Sequence, residues 1–174
     1  MKTICTLLCL SVLLVAWTAS GQSKRDKLMA DAKEAKAEFI KKDSKMAGLF
    51  GKAYGYVILP NVGKGGIGIG GAAGNGIVYE RGKVIGTAKM SQVSVGLQLG
   101  GQAYREVIFF ESKKDLDRFK ENRVEFSAQV SAVAATEGAS ANAKYVDGVM
   151  VFTMQKGGLM YEASVGGQKF KYEK

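Results

Sequence analysis

Apolar residues alternate with glycine and small polar residues through the middle of the chain. From position 93 onward valine or leucine stands at every second residue, at Val93, Val95, Leu97 and Leu99. Period two is the spacing of side chains along one face of a β-strand. Sixteen of the 23 glycines fall between Gly48 and Gly101. This density predicts strands that another backbone or a helix crowds on one face.

Turn signals divide this region into antiparallel hairpins. Pro60-Asn61 is predicted to end a first strand that begins at Tyr56, and Arg81-Gly82 is predicted to join two further strands. The next part of the chain predicts a central strand at 106–110, a helix from Ser112 to about Asn122 and a half-buried strand at 124–132. A loop is predicted at 134–143, followed by a hairpin of strands 148–155 and 159–165 and a last strand at 168–172. The order indicates a single α+β domain.

A charged helix is predicted ahead of the strands, over residues 24–45, with Ser23 as its N-cap. Its apolar residues recur on one face: Leu28, Ala32, Ala35, Phe39 and Met46. Its basic residues are Lys24, Arg25, Lys27, Lys33, Lys36, Lys41, Lys42 and Lys45. Such a helix either lies on an anionic membrane or packs its narrow apolar stripe on the sheet.

Residues 1–21 have the pattern of a secretory signal peptide, which leaves 22–174 as the functional domain. Lys2 precedes an apolar run from Ile4 to Trp17, and small residues follow it. The run is shorter than the roughly 20 residues that a spanning helix needs. We therefore expect an exported protein, periplasmic or secreted, with an uncleaved anchor as the alternative. Cys5 and Cys9, the only cysteines, would be removed with this segment.

The charge balance favours anionic partners. The chain has 25 basic and 16 acidic residues, for a net charge of +9. Export favours a phospholipid membrane surface over nucleic acid as that partner. The chain contains no histidine, which removes histidine-based catalytic and metal sites. The candidate acids Glu80, Glu106, Glu111, Asp147 and Glu162 lie in no motif that enzymes share. We expect a non-enzymatic protein without catalytic residues, metal or cofactor.

The glycines do not match a nucleotide site. Gly63-Lys64-Gly65 lacks the Ser or Thr that follows the lysine of a P-loop. Gly66, Gly68 and Gly71 fit the spacing G-x-G-x-x-G, but a dinucleotide site requires a helix to begin there. The residues that follow, AAGNGIVYERGK, predict strand, turn and strand instead.

Five blocks of sequence occur in an order that resembles the SYLF lipid-binding domain family, in particular its exported bacterial branch. They are AYGYVILP, GKGGIGIGGAAGNGIVYERG, VSVGLQLGGQAYREVIFF, EFSAQVSAVA and KGGLMYEASVGGQKF, within residues 28–170. The resemblance implies a compact α+β fold with a strongly bent, barrel-like antiparallel sheet and few helices. It also implies binding of phosphoinositide-like or other anionic head groups. The segment GKVIGTAKMSQ departs from the Trp-Ser-x-Pro-like segment of eukaryotic relatives, which bears on phosphoinositide specificity.

We therefore expect an exported lipid-binding protein that engages anionic head groups through the eight basic residues of the first helix. Lys64, predicted to lie in a turn among the glycines, is a second candidate contact. Charge reversal at Lys41, Lys42 and Lys45 is expected to abolish binding. Two alternatives remain: a carrier of an apolar ligand inside the sheet, and a structural or envelope-stress protein that acts through protein partners.

Overall fold

A computed structural model describes residues 23–67, 69–95, 102–122, 132–156, 165 and 167–174. Four sequence predictions lie wholly or largely outside these residues. They are the signal peptide at 1–21, the continuation of the alternating strand at 96–101, the strand at 124–132 and the second strand of the last hairpin at 159–165.

A seven-stranded sheet forms the centre of the fold. Its strands are β1 (Gly55–Ile67), β2 (Ile69–Glu80), β3 (Lys83–Val95), β4 (Gln102–Phe110), β5 (Ala132–Ala134), β6 (Val149–Gln155) and β7 (Gln168–Glu173). Their spatial order is β5-β6-β4-β1-β2-β3-β7. All neighbours are antiparallel except β5 and β6, which are parallel. The predicted α+β domain is confirmed, with a mixed sheet in place of a purely antiparallel one.

The sheet is strongly bent but not closed in the part of the chain that is described. β4 and β7 are four strand positions apart in the sheet, which would separate them by about 19 Å if the sheet were flat. Nevertheless Gln168 Nε2 of β7 donates a hydrogen bond of 3.0 Å to Glu106 Oε2 of β4. The bend therefore brings these two strands face to face across the concave side, while β5 and β7 are the outermost of the described strands.

Three α-helices are described. They are α1 (residues 23–42), α2 (Met46–Lys52) and α3 (Lys113–Lys120), and a 3-10 turn lies at Ala139–Ala141. The first helix differs from its prediction at both ends. Residue 23 is already helical, so Ser23 is not its N-cap. The helix stops at residue 42 because the Asp43 carboxylate accepts the backbone N–H of Lys45 and turns the chain into α2.

Hydrophobic residues form a core on each face of the sheet. On the convex face α1 and α2 cover β1, β4 and β6 with a core that includes Ala32, Ala35, Phe39, Met46, Phe50, Tyr56, Ile58, Phe109 and Phe152. On the concave face α3 and β7 pack over Val57, Leu59, Val62, Val78, Ile108, Phe110 and Val151. Successive residues of β1 alternate between the two cores, as the period-two pattern requires.

Two turn predictions have different outcomes. Arg81 and Gly82 both have positive φ, 48° and 78°, as a tight hairpin turn requires, so the predicted turn is confirmed. The turn predicted at Pro60-Asn61 is wrong, because β1 continues through both residues to Ile67. The pairing register shifts between Ile58 and Asn61. Proline has no N–H for the ladder and is accommodated at such a bulge.

Candidate anion-binding site

The apolar face of α1 lies on the sheet. Ala32, Ala35 and Phe39 are fully buried there. The helix therefore cannot insert this face into a membrane while it remains docked. Six of the seven basic residues of α1 are exposed: Lys24, Arg25, Lys27, Lys33, Lys41 and Lys42. Lys45 is exposed just beyond the helix. Any contact of docked α1 with an anionic surface is thus electrostatic.

The N-terminal end of α1 and strands β2 and β3 enclose a groove of about 440 Å³. Its lining contains four basic side chains and one acidic one. The lining residues are Lys24, Arg25, Lys27, Leu28 and Asp31 of α1, Asn75 of β2, and Thr87, Ala88 and Lys89 of β3. Several cations around one concavity form a local positive potential, which attracts and holds an anion. Hereafter this is the basic groove.

Lys89 enters the basic groove from the sheet. Its ammonium is 2.9 Å from a carboxylate oxygen of Glu173 on β7. Hydrogen bonds from Lys89 and Lys171 lower the pKa of Glu173, which keeps this carboxylate ionised. Both partners are at least one-third exposed, so the pair is screened by water and exchanges readily with another anion.

On the other side of the groove, Asp31 accepts a hydrogen bond of 3.4 Å from the Asn61 side chain. This contact joins α1 to β1 and so helps to keep the helix that carries three of the basic side chains docked on the sheet. A docked helix loses less conformational freedom on binding than a free one.

Lys36 does not belong to the exposed set. Its ammonium donates a hydrogen bond of 3.1 Å to the Tyr56 hydroxyl. It also lies 4.7 Å from the ring centroid of Phe50 and 5.2 Å from that of Tyr56. Burial lowers the pKa of Lys36. The structure therefore assigns Lys36 a packing role between α1, α2 and β1.

Apart from Lys33 and the packed Lys36, the basic residues in and just after the first helix fall into two groups. Lys24, Arg25 and Lys27 lie at the groove, whereas Lys41, Lys42 and Lys45 lie at the far end of the helix. Acidic residues lie between the groups, and one of them, Glu34, pairs with Arg105 of β4 at 3.1 Å. With a rise of about 1.5 Å per residue, Lys24 and Lys41 are about 25 Å apart along the axis. A single head group cannot bridge both groups.

Lys64 lies in β1 and not in a turn, so this part of the prediction is wrong. It pairs with Ala72 and Gln102 of the neighbouring strands and is half-buried. Because Val62 and Ala72 belong to the concave-face core, alternation places Lys64 on the concave side as well. The basic groove lies between α1 and the opposite, convex face. Lys64 is therefore not part of it.

Lys89 and Asn75 were not predicted as site residues from the sequence. Each lies in a strand whose alternation predicts a solvent-facing residue, and neither is near α1 in the sequence. They reach the groove only because β2 and β3 pair with Asn75 opposite Lys89. No local sequence signal could have shown this.

A second polar cluster lies inside the bent sheet. Glu106 is fully buried, and burial raises its pKa to about 7, against a smaller lowering by the hydrogen bond from Gln168. Nearby Tyr104 is 3% exposed. Burial and the neighbouring Glu106 carboxyl raise the pKa of Tyr104. From the sequence, Glu106 was only one of several candidate acids that lie in no motif shared by enzymes.

Of the other candidate acids that are described, one accepts a side-chain hydrogen bond and two are exposed. Glu80 accepts a hydrogen bond of 2.8 Å from the Tyr54 hydroxyl, and Glu111 and Asp147 are exposed. Glu162 lies outside the described residues. Within the part of the chain that is described, no three His, Cys, Asp or Glu side chains are grouped as metal ligands. None of the described helices is both long and apolar enough to span a membrane.

The fold and the groove define a helix-covered, open-sheet α+β domain with a basic surface site. Residues 91–174 match the family model described as "Ysc84: Las17-binding protein actin regulator". The chain is also 32% identical over 128 residues to "Beta cell expansion factor A" of Aeromonas veronii. That alignment covers 72% of this chain and 48% of the relative, so the chain spans about half the length of that protein. Residues 91–174 belong to the Ysc84 (SYLF) domain family, which is associated with lipid binding. The predicted resemblance to this family is confirmed.

Proposed function

We propose that this protein is an exported, non-enzymatic lipid-binding protein that holds anionic phospholipid head groups in the basic groove. The observation that carries the proposal is the convergence of Lys24, Arg25 and Lys27 on Lys89 around one concavity. A lipid phosphate offers several acceptor oxygens to these donors. Each Lys or Arg near an anionic surface contributes about 1 kcal/mol, so the group supports reversible attachment.

The lysines at the far end of the helix, Lys41, Lys42 and Lys45, have a smaller role in this proposal. These lysines are exposed, and they do not line the basic groove. They add long-range attraction to an anionic surface, and they do not form a site. Charge reversal at these three lysines was expected to abolish binding. We now expect it to weaken binding, and charge reversal at the groove to weaken it more.

Vesicle co-sedimentation tests the proposal. The purified protein is mixed with neutral phosphatidylcholine vesicles or with vesicles that also contain phosphatidylglycerol or a phosphoinositide. We expect binding to anionic vesicles only. We also expect it to fall steeply from about 50 mM to about 500 mM salt, because the groove is exposed and salt screens its charges. Equal binding to neutral vesicles would contradict the proposal.

Two triple variants locate the site, and each changes the net charge by the same amount. K24E/R25E/K27E is expected to abolish binding, whereas K41E/K42E/K45E is expected to weaken it by a few-fold. Equal losses would show that binding depends on net charge alone and would remove the groove from the proposal. Circular dichroism of each variant checks that the fold is retained.

The alternative of an apolar-ligand carrier has less support. The concave face is filled by buried side chains, among them Val62, Met90 and Ile108. A carrier would release lipid into organic extracts of the purified protein, and this lipid would survive a high-salt wash. If the extracts contain no lipid and the protein does not bind vesicles, a role through protein partners would be favoured.

Export is tested separately. Mass spectrometry of the protein recovered from the culture medium or the periplasm would show a chain that begins after Ser20 or Gly21. A full-length chain in the membrane fraction would instead support an uncleaved anchor.

A further inference from the structure

The concave side of the sheet carries a compact group of oxygen atoms that belongs to neither the basic groove nor the hydrophobic cores. It is formed by Glu106 of β4, Thr153 and Gln155 of β6, and Gln168 of β7. Glu106 and Gln168 are fully buried, and Thr153 is 1% exposed. Hereafter this is the oxygen cluster.

Strand pairing brings these side chains together. Glu106 and Thr153 are direct partners in the β4–β6 ladder, so their side chains leave the same face about 5 Å apart. Gln155 is two residues beyond Thr153 and faces the same way. Gln168 reaches the group across the bent sheet through its 3.0 Å hydrogen bond to Glu106. Three strands therefore contribute side chains to one small volume.

Each member of the oxygen cluster has a buried oxygen without a hydrogen-bond partner among the described residues. The atoms are Glu106 Oε1, Thr153 Oγ1, Gln155 Oε1 and Gln168 Oε1. A buried acceptor without a partner is strongly unfavourable, so buried polar atoms are rarely left in this state. Four such atoms in one place require a common explanation.

The chemistry of the four atoms narrows the occupant. All are oxygens, and they come from a carboxylate, two amide carbonyls and a hydroxyl. The Thr153 hydroxyl has a proton of its own to donate, which leaves three acceptors when Glu106 is ionised, and a single water molecule with two protons can satisfy only two of them. A hard cation can be coordinated by all four oxygens at once, and carboxylate, carbonyl and hydroxyl oxygens are its preferred ligands. One carboxylate among neutral ligands balances a single positive charge.

We propose that the oxygen cluster is a binding site for a hard metal cation that ties β7 to β4 and β6. Such an ion lies inside the domain and serves the fold. It is chemically separate from the basic groove, which binds anions, and it does not depend on the proposed lipid function. Loss of the ion would leave β7 paired with β3 but would remove its tie to β4 and β6 across the bent sheet.

Thermal unfolding of the full chain tests the proposal. The protein is first dialysed against a chelator in tetramethylammonium buffer, because this large organic cation cannot enter the cluster. Na⁺, K⁺ or Ca²⁺ is then added at constant ionic strength. A bound ion stabilises only the folded state, so we expect at least one of them to raise Tm by about 3 °C or more at saturation. The comparison among the three identifies the ion's charge and size.

Three variants assign the effect to the cluster. Thr153→Val keeps the side-chain shape and removes one ligand, and Glu106→Gln removes the charge; each is expected to abolish the cation-dependent rise in Tm. Glu111→Gln is the matched control, because it neutralises an exposed carboxylate just after β4 and should leave the rise unchanged. If Glu106→Gln does not fold, Thr153→Val alone shows whether the cation-dependent rise in Tm comes from the oxygen cluster.

Two outcomes would overturn the proposal. One is a Tm that is the same in all metal cations and in tetramethylammonium. The other is a cation-dependent rise that persists in Thr153→Val. Equilibrium dialysis with metal analysis gives an independent readout, with about one ion per chain expected for the wild-type protein and none for Thr153→Val.

Discussion

The Lys36 ammonium donates a hydrogen bond of 3.1 Å to the Tyr56 hydroxyl, and this contact joins the middle of α1 to the first strand of the sheet. The rings of Phe50 and Tyr56 lie around the same ammonium. The first helix is therefore packed against the rest of the domain, and the hydrogen bond between Lys36 and Tyr56 lies within this packed interface. A lysine that looks like a head-group ligand in the sequence instead stabilises the fold.

Lys36→Gln is expected to destabilise the protein without a specific loss of vesicle binding. The hydrogen bond and the cation–π contacts are each worth about 1 kcal/mol, so the free energy of unfolding should fall by about 1–2 kcal/mol. Lys33→Gln removes an equal charge from an exposed position of the same helix and should leave stability within about 0.5 kcal/mol. Urea denaturation measures both. An equal effect of the two substitutions would show that the Lys36 contacts contribute nothing.

Local chemistry made much of the fold predictable. Ser112 and Asp115 form the capping box that begins α3, and Leu116 and Phe119 are fully buried as their spacing predicts. The Arg81-Gly82 turn and the strands that flank it are also correct. These features depend on residues within a few positions of one another, where propensity and periodicity act directly.

The basic groove could be predicted only in part. Lys24, Arg25 and Lys27 were among the predicted ligands, but Lys36 and Lys64 were included as well, because charge alone does not show which lysines are packed. Lys89 was not predicted, since its position beside α1 is set by strand order. The oxygen cluster depends on a contact between residues 62 positions apart in the chain, Glu106 and Gln168. Such contacts follow from the bend of the whole sheet.

Asp43→Ala is expected to separate α1 from the turn at Ser140. Asp43 is 2% exposed, and its carboxylate accepts the backbone N–H of Ser140 at 2.9 Å and that of Lys45 at 3.1 Å. Removing it leaves buried donors without an acceptor, at a cost of about 2 kcal/mol. Chemical denaturation measures the loss. Glu137→Ala, an exposed carboxylate in the neighbouring turn, is the control and should cause little change.

The same carboxyl contributes to acid sensitivity. Burial alone would raise the pKa of Asp43, but the hydrogen bonds from Ser140, Lys45 and Gly138 outweigh it, so the pKa is lower than the usual 3.8. A lowered pKa gives stability that is present above pH 3.8 and is lost as the pH falls through the folded-state value. Asp43→Asn should therefore reduce the slope of stability against pH below about 4. An unchanged slope would argue against ionised Asp43 in the folded state.

Gly86 and Gly63 are expected to respond in opposite ways to substitution by alanine. A Cβ at Gly86 would lie 2.5 Å from the backbone oxygen of Glu173 and 2.6 Å from the Tyr172 ring. Since β7 would have to move, Gly86→Ala should cost about 1–3 kcal/mol. A Cβ at Gly63 meets nothing within 4 Å, so Gly63→Ala should be neutral or slightly stabilising. Thermal unfolding of both variants checks the prediction, and similar Tm values would contradict it.

The buried Glu106 predicts a specific pH dependence of stability in metal-free tetramethylammonium buffer. Its pKa is about 7 in the folded protein and 4.5 when unperturbed. Below pH 4.5 the carboxyl is protonated in both the folded and the unfolded state, so folding does not bury a charge and the stability is highest in this respect. Between pH 4.5 and 7 the unfolded chain loses the proton first, and stability falls by about 3 kcal/mol. Above pH 7 both states are ionised and the contribution is constant.

Glu106→Gln isolates this contribution, because glutamine keeps the shape and does not titrate. The difference in unfolding free energy between variant and wild type should shift by about 3 kcal/mol in favour of the variant from pH 4.5 to 7 and stay level beyond. Glu111→Gln, with the same change at an exposed site, should follow the wild-type curve. Urea denaturation at half-unit pH steps gives the three curves. A constant difference between Glu106→Gln and wild type would mean that Glu106 titrates alike in both states, and its burial would then carry no electrostatic cost.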